Sequence, residues 1–481
     1  MKFIKDLFIT FSTQITVVAL SFGTSIVVAR VLGPEGKGAY SLIILIPTIL
    51  AMVGNLGIGI ANAYFGGKKK YALSDIAANS IIAALGIGSI LAIIFLVYFF
   101  LFQPSFLHGI EPQAIVLATL VLPLSLLIVY FSYILLGQTK IKEFNLVNLV
   151  QGGALLIFTL FLLFVIQKNV FNVIIAWVIA IILAISLSIW LVSRIAKINI
   201  KFNPLLFVDS VKFGGQGYLG NVIQFLNYRL DMLLVAIFIN LTYVGYYSIA
   251  VPLAEALWYF PSAVGTVIFA RTISLSPEEA NKSTPRICRN TLFLTLLAAL
   301  VLFAVGKYVI LLLFGSDFLP ALSPLQILLP GVVVLSICKV LGNDIVGRGK
   351  PIINTIIAGI SLAINIPLNI ILIPRMGISG AALASTISYT ASAIFAIIAF
   401  MKISGVNLTA LIIMKPDDFR FYGQLFSGAY NLGIDKDRRR VALQQIISEI
   451  NPRSWGSQPE KSNTGNIQYA DSQPQKAKID E

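Results

Sequence analysis

Histidine and cysteine are almost missing from this chain, and charge is scarce. The one histidine, His108, cannot build a histidine-rich metal site, and the two cysteines, Cys288 and Cys338, lie in or beside apolar segments and make no disulfide framework. With so little histidine, no Ser/His/Asp or Cys/His arrangement is available, so nucleophilic hydrolysis is excluded and the chain reads as a non-enzyme. Charged residues make up only 12% of the 481, where a soluble domain carries ~25%. ATP-driven chemistry is also missing its parts. Residues 33–38 read GPEGKG, but Val31 stands where a phosphate loop needs its first glycine, and Gly38 stands in place of its Ser or Thr. The acidic pair Asp435 and Asp437 has no nucleotide-binding fold around it and reads as a helix start.

What is present is apolar length. Hydrophobic residues are 57% of the chain and mean hydropathy is +0.89. About twelve apolar segments fill residues 7–414, over 7–32, 39–65, 76–102, 113–136, 143–166, 171–193, 211–239, 241–270, 288–314, 321–343, 352–373 and 378–403. A bilayer core ~30 Å thick takes roughly 20 helical residues to cross. Continuous apolar runs without alternation point to helices and not to barrel strands. The expected fold is therefore an all-α polytopic membrane protein. Lys2 and Lys5 before the first run resemble a signal peptide, but the run reaches Leu32 and has no small-residue cleavage site, so it reads as a retained helix.

The formal charge of +14 invites a nucleic-acid reading, which its distribution opposes. Residues 1–414 hold 25 Lys and Arg against 12 Asp and Glu, whereas the polar tail from Lys415 holds 10 against 9. The excess belongs to the loops. Twelve spans put both termini on one side, and that side carries 17 loop cations, among them Lys68, Lys69, Lys70, Arg271, Arg348 and Lys350. The other side carries 4: Arg30, Lys37, Lys168 and Arg375. Positive charge stays inside, so both termini are expected in the cytoplasm. Arg30 reads as an interfacial anchor, as do Trp177, Trp190 and Trp258. The longest outer loop, about 103–111, is too short for an external domain.

The chain also echoes itself. At an offset of 207 positions, Val28 and Ala29 fall on Val235 and Ala236, Gly38 falls on Gly245, and Tyr40 and Ser41 fall on Tyr247 and Ser248. At an offset of 210, Gly137 and Lys140 fall on Gly347 and Lys350. Six helices per repeat keep the same orientation in both halves, as in transporters that bind substrate between lobes. The expected organisation is a six-helix lobe over 1–200, a second over 201–414, and a partly disordered cytoplasmic tail over 415–481. In the tail, residues 438–450 space Leu443, Ile446, Ile447 and Ile450 as an amphipathic helix for anionic lipid.

Polar residues inside apolar spans mark the candidate site. On the seventh span Asn221, Gln224, Tyr228 and Asp231 share a helical face, with Arg229 about 100° away. Glu255 lies near the centre of the eighth span, and the tenth carries Lys339 and ends at Asp344. On the first, Gln14, Ser21 and Thr24 occupy the positions equivalent to Asn221, Tyr228 and Asp231. Ionisable groups at this depth cost ~2.5–3.5 kcal/mol to insert and usually face a cavity. In one reading Arg229 and Lys339 attract an anionic substrate group, while Asp231, Glu255 and Asp344 pair with them or bind a coupling cation, H+ or Na+. In the other these are static ion pairs, such as Arg229 with Glu255, and Lys339 and Asp344 sit at the membrane edge. Pro47, Pro123, Pro252, Pro261, Pro330 and Pro367 interrupt spans and permit bending.

Four segments carry a family resemblance. Residues 365–388 (NIPLNIILIPRMGISGAALASTIS) resemble the eleventh–twelfth helix signature of polysaccharide flippases in the multidrug/oligosaccharidyl-lipid/polysaccharide (MOP) exporter superfamily. Ala29, Arg30, Leu32, Gly33 and Pro34, followed by Gly38 and Tyr40, resemble the first hairpin of that group; Asp231 with Gly245, Tyr246 and Tyr247 resembles its second-half echo. Residues 347–350 resemble the loop before helix eleven. The resemblance covers about residues 1–402. It implies two six-helix lobes around a central basic cavity, and alternating-access transfer of an undecaprenyl-pyrophosphate-linked oligosaccharide to the outer leaflet. It further implies a bacterial cytoplasmic membrane, with other polysaccharide-biosynthesis membrane enzymes as partners. One departure bears on the alternative, a cation-coupled multidrug or small-solute exporter: no acidic residue lies between Gln14 and Arg30.

Overall fold

In the computed structural model of the chain, residues 2–198, 201–416 and 418 are described. Contacts group Met1–Ile413 into one compact unit and Met414–Glu481 into another. The helix expected over 438–450 and the polar stretch beyond Pro452 lie outside the described residues.

The described residues contain helices and no strand. In chain order they are α1 (Lys2–Gly54), α2 (Ile58–Gly67), α3 (Leu73–Phe102), α4 (Pro112–Leu120) and α5 (Leu122–Gly137). There follow α6 (Ile141–Phe161), α7 (Val170–Ser193), α8 (Pro204–Phe238), α9 (Leu241–Glu255) and α10 (Tyr259–Ser274). The last are α11 (Pro277–Leu313), α12 (Leu322–Gly347), α13 (Ile352–Met376), α14 (Ile378–Ser404) and the short α15 (Leu408–Ile412).

Among the described residues, 11 helical stretches are long and apolar enough to cross a membrane. The first, Ile9–Gly54, has 46 residues, about 69 Å of helix against a core of ~30 Å. It holds the first of the twelve spans read from the sequence and most of the second, 39–65, which runs on into α2. Non-helical backbone at Gly33 (φ 68°, ψ −174°) divides them, a conformation that a residue with a side chain rarely adopts. Pro34 follows at once, and its fixed φ restarts the helix.

Other boundaries have equally local causes. The side chains of Asn169, Asn203 and Asn240 accept hydrogen bonds from the backbone N–H groups of Asn172, Leu206 and Tyr243, which caps α7, α8 and α9. Ser276 and Glu279 form a reciprocal capping box at the start of α11. The eighth span is discontinuous. Pro252 inside α9 cannot donate to the carbonyl of Ser248, and one turn later the chain tightens into a 3-10 turn at Ala256–Trp258 before α10 begins. Glu255 sits at that break.

Packing follows the two halves of the sequence. In the first, α6 packs on α1 and α7, and α5 on α2, α3 and α7. In the second, α12 packs on α10, α11 and α14, and α13 on α8 and α14. The main contact across halves joins α1 to α9. A Cβ at Gly38 would lie 1.8 Å from the Leu241 carbonyl oxygen, and one at Gly245 would lie 2.0 Å from that of Pro34. Gly38 and Gly245 are equivalents at the 207 offset, and so are Pro34 and Leu241. The contact is thus reciprocal, as a two-fold axis between repeats requires.

Beside it, Arg30 donates from Nε to the Leu313 carbonyl at 2.8 Å and from a terminal nitrogen to that of Leu312. These are orphan carbonyls at the C-terminal end of α11, where a cation also complements the helix dipole. Arg30 therefore ties the first half to the second, in addition to any role at the lipid interface. Trp258 is not interfacial: it is buried and donates its indole N–H to the Val332 carbonyl at 3.2 Å.

At the end of the bundle rich in lysine, a different set of contacts joins the halves. Lys70 and Tyr71 both donate to Asp209, at 2.8 and 2.7 Å. Tyr64 stacks on Phe213 with ring centres 4.4 Å apart, and Asn55 donates to the Tyr218 hydroxyl at 3.1 Å.

Candidate functional site

A cavity of about 550 Å³ lies between the two halves. The first-half wall includes Val18, Phe22, Ser25, Ser41, Leu45 and Thr48, all on α1. The second-half wall, on α8 and α9, includes Phe225, Arg229, Met232, Ser248, Pro252 and Glu255. Taken in order, these twelve residues pair at the 207 offset: Phe22 with Arg229, Ser41 with Ser248, Thr48 with Glu255, and so on. The cavity is a pseudo-symmetric space, lined twice by the same positions of a repeated hairpin.

Its charge is not symmetric. Arg229 and Glu255 meet fork to fork, with Nη1 to Oε1 at 2.9 Å and Nη2 to Oε2 at 2.8 Å. Arg229 Nη1 also donates to the Tyr228 carbonyl at 3.0 Å. Bidentate pairs of this kind are the strong ones, and burial makes each partner depend on the other. In the first half the equivalents are Phe22 and Thr48, which are neutral.

A third charged group belongs to the cavity: Lys37 of α1, 5% exposed. Its ammonium donates to Ser41 Oγ at 3.3 Å and lies 5.3 Å from the centre of the Tyr40 ring. No carboxylate partners it among the described residues. The formal charge of the lining side chains is therefore positive, since Lys37 and Arg229 outweigh Glu255. Lys37 was counted above with the outer loop cations because it follows the first apolar run closely. The signal that identifies it is helical spacing: Lys37, Ser41 and Thr48 share one face of α1 after the break at Gly33.

The other sequence candidates lie elsewhere. Gln224, Tyr228 and Lys339 line a separate space of about 170 Å³ inside the second half. There the Lys339 ammonium stands 5.1 Å from the Tyr228 ring centre and 4.8 Å from that of Trp258, held by two aromatic faces. Asp231 is buried and accepts from the Tyr247 hydroxyl at 2.6 Å, the Met232 N–H at 2.7 Å and Ser385 Oγ at 3.0 Å. The segment 365–388 supplies that surrounding. Asn369 donates to Asn365 Oδ1 at 2.9 Å, Asn365 to Ser388 Oγ at 3.2 Å, and Asn227 of α8 to Ser361 Oγ at 3.0 Å. These bonds link α8, α13 and α14, although Asn227 Oδ1, Asn369 Oδ1 and Ser392 Oγ are buried without a partner among the described residues.

Asp344 is buried and bonded to Arg348, and it accepts from Thr272 and Thr284, both at 2.9 Å; it joins α10, α11 and α12. Asn221 and Gln14 are exposed and border neither cavity. Of the nine residues singled out from sequence, the structure brings Arg229 and Glu255 together in the central cavity. It distributes the rest to the second-half interior, the lysine-rich end and the surface.

Comparisons with known proteins agree with this architecture. A family model described as "Polysaccharide biosynthesis protein" matches residues 27–323. An uncharacterised membrane protein of Methanocaldococcus jannaschii is 28% identical over 287 residues, which are 56% of this chain and 56% of that protein. A "probable low-salt glycan biosynthesis flippase" of Haloferax volcanii is 25% identical over 169 residues, 34% of this chain and 36% of its own length. The chain therefore matches only about half, or less, of these relatives.

Among solved structures, an inward-facing multidrug resistance transporter of the MOP superfamily superposes with a TM-score of 0.67 at 15% identity, over 83% of this chain and 98% of its own. A lipid II flippase in an inward closed conformation superposes with a TM-score of 0.66 at 17% identity, over 94% and 98%. Both share the all-helical membrane fold. The match over 27–323 takes in the second wall of the central cavity and, of the first, Lys37, Ser41, Leu45 and Thr48, and the chain belongs to the polysaccharide biosynthesis protein family.

Proposed function

We propose that the chain is a flippase that carries an isoprenoid-pyrophosphate-linked oligosaccharide, undecaprenyl in the reading from sequence, from the cytoplasmic to the outer leaflet for cell-surface polysaccharide assembly. The observation that carries this is the Lys37 ammonium, buried without a carboxylate partner among the described residues in a cavity that also holds Arg229. A buried cation that nothing neutralises has a steep desolvation cost, which a visiting anion relieves. A pyrophosphate offers that anion, and Ser21, Ser25, Ser41 and Ser248 offer hydroxyls to sugars. The isoprenoid tail stays in lipid, where it is already solvated. No bond is made or broken, so the chain works as a carrier and not as an enzyme.

Transfer proceeds by alternating access between lobes 1–200 and 201–414, with both termini in the cytoplasm. H+, Na+ or the membrane potential supplies the driving force, and membrane enzymes that build or polymerise the glycan are the partners. The cation-coupled multidrug or small-solute exporter is the weaker reading, because the acid facing the cavity, Glu255, is already paired with Arg229.

The test is the leaflet distribution of lipid-linked glycan in a deletion strain, read with an external glycan-modifying reagent. Accumulation on the cytoplasmic side, reversed by the intact gene, is the expected result. Normal outer-leaflet glycan in a strain without a second flippase overturns it.

A further inference from the structure

We propose that the space of about 170 Å³ inside the second half is a second substrate site, which takes a carboxylate-bearing sugar of the glycan. The carboxylate sits on the Lys339 ammonium, and the ring hydroxyls sit on the amides of Gln224, Asn343 and Asn354. The source of the sugar rests on the function proposed above; the chemistry of the pocket does not.

Lys339 is held as an available cation. The two aromatic rings against its ammonium, Tyr228 and Trp258, are 5.0 Å apart between centres, and both pack on Tyr389, at 5.7 and 5.4 Å. Trp258 is anchored in turn through its indole N–H on Val332. Aromatic faces attract an ammonium without neutralising it. The Tyr228 hydroxyl lies beside it as an acceptor. No carboxylate is bonded to Lys339 among the described residues. Glu255 is joined to Arg229, Asp231 is held by Tyr247 and Ser385, and Asp344 by Arg348. At membrane depth such a charge calls for an anion.

The rest of the lining says what kind of anion. Asn343 donates from Nδ2 to the Lys339 carbonyl at 2.8 Å, and Asn354 from Nδ2 to the Gly342 carbonyl at 2.9 Å. Both amides are thereby oriented, and neither amide oxygen accepts a hydrogen bond among the described residues. The Gln224 side chain makes no hydrogen bond among them. A bare inorganic anion fits this lining badly, because it meets amide oxygens that are acceptors like itself. A neutral sugar leaves the ammonium without a counter-charge. One anionic group and several hydroxyl donors on a single small body satisfy both ends, and a uronic acid combines them. The space is smaller than the ~300–1,000 Å³ of sites for drug-sized ligands and suits one ring.

Its position fits a glycan offered from the cytoplasm. Asn354 stands in the first turn of α13, just past the loop of Arg348 and Lys350, and Lys339 lies about two turns before the end of α12. Tyr228 lines this pocket and Arg229, next to it on α8, lines the central cavity, so one helix carries both recognition faces.

The test uses the full chain purified in detergent, with methyl glucuronide and methyl glucoside as probes that differ at one carboxylate. Titration by saturation-transfer NMR reads both affinities. Wild type should bind the glucuronide at least about tenfold tighter, the scale of a charge-assisted hydrogen bond. Lys339→Gln should bring the glucuronide down to the level of the glucoside. Gln224→Leu, which has no hydrogen bond within the protein to lose, should weaken both probes about fivefold. Saturating farnesyl diphosphate should leave the glucuronide in place. In cells, Lys339→Gln at equal membrane abundance should lower outer-leaflet display of a uronate-containing glycan, and spare the same glycan built with a neutral hexose.

Equal affinity of wild type for the two probes overturns the proposal. Glucuronide binding that survives Lys339→Gln does so too, and makes the lysine a brace between aromatic rings. Displacement by farnesyl diphosphate places the glucuronide in the central cavity, which also overturns it. Lost binding with undiminished display of the uronate glycan makes the ligand a free acidic sugar and overturns the lipid-linked source. Failure of the flippase function is read separately, in the deletion strain, where discrimination between the two probes plays no part.

Discussion

In the first half of the molecule Phe22 and Thr48 face the central cavity; in the second half, at the equivalent positions, Arg229 and Glu255 face it and are joined by two hydrogen bonds. Four further equivalent pairs line the same space, and among them only Ser41 and Ser248 keep the same side chain. A repeated hairpin gives the two walls one backbone geometry, so the difference between them isolates what the side chains contribute. One wall supplies shape and hydroxyls. The other supplies a guanidinium and its counter-anion. Lys37 breaks the symmetry again, since its equivalent is Val244.

The largest effect is expected from removing the charge on the second wall. Arg229→Ala strands Glu255 and takes away the anion site, so flipping should fall by at least ~100-fold, the scale of ~3 kcal/mol for one partner of a buried charge pair. Arg229→Lys should keep part of the activity. Phe22→Ala at the equivalent position should cost less than about tenfold, as the loss of a partly buried apolar side chain. Glycan exposure at equal membrane abundance measures all three. Equal losses at Phe22 and Arg229 would erase the distinction between the walls.

Next comes the contact that holds the walls in register. Gly38→Ala puts a methyl group 1.8 Å from a backbone oxygen, and Gly245→Ala puts one 2.0 Å from its counterpart. Backbone cannot rotate away as a side chain does. Each substitution should force α1 and α9 apart, at ~1–3 kcal/mol or more for overpacking. Because the contact is reciprocal, the two variants should lower the melting temperature in detergent to a similar degree. Gly153→Ala, where the added carbon meets nothing within 4 Å, is the neutral control. A large difference between Gly38→Ala and Gly245→Ala would count against the two-fold relation.

Lys37→Met sharpens the comparison in another way. It keeps most of the side-chain volume and removes a buried charge that has no carboxylate partner among the described residues. Binding of an isoprenyl diphosphate should weaken by about tenfold, while the melting temperature stays level or rises, since an apolar replacement escapes the desolvation cost. Weaker binding together with a lower melting temperature would mark Lys37 as a packing residue.

These residues also delimit what sequence reasoning reaches. The spans and the repeat are legible because bilayer thickness sets a minimum apolar length, and duplication leaves a constant offset. The face on α8 is legible too: Gln224, Tyr228 and Asp231 do point together. Periodicity, however, does not say which neighbour a face meets. Here it meets α12, α13 and α14, while Arg229, about 100° round, meets the cavity. Lys37 escapes for the opposite reason. It lies between two apolar runs and looks like a loop charge, until Gly33 turns the chain and restarts the helix beneath it.

The smallest effect is expected where the halves meet through side chains. At the lysine-rich end Lys70 and Tyr71 hold Asp209 beside a close backbone approach of Gly57 to Gly214, whereas the opposite end is held by the backbone contact of Gly38 and Gly245 and by Arg30 on the α11 carbonyls. Only the first contact can titrate. The hydrogen bond from Lys70, and then that from Tyr71, lowers the pKa of Asp209 below its ordinary value. A lowered acid contributes stability that is fully present above the ordinary carboxylate range and is lost as pH falls through its folded-state pKa. The group is exposed, so the contribution is small and screened by salt. Acid or high salt should therefore raise amide exchange in α2 and in the first turns of α8, and leave exchange around Gly38 and Gly245 unchanged. Asp209→Asn should remove the response to acid at the lysine-rich end. If exchange near Gly38 followed pH as well, the two ends would open as one, and the contrast between a titrating contact and a steric one would not describe how this molecule parts its halves.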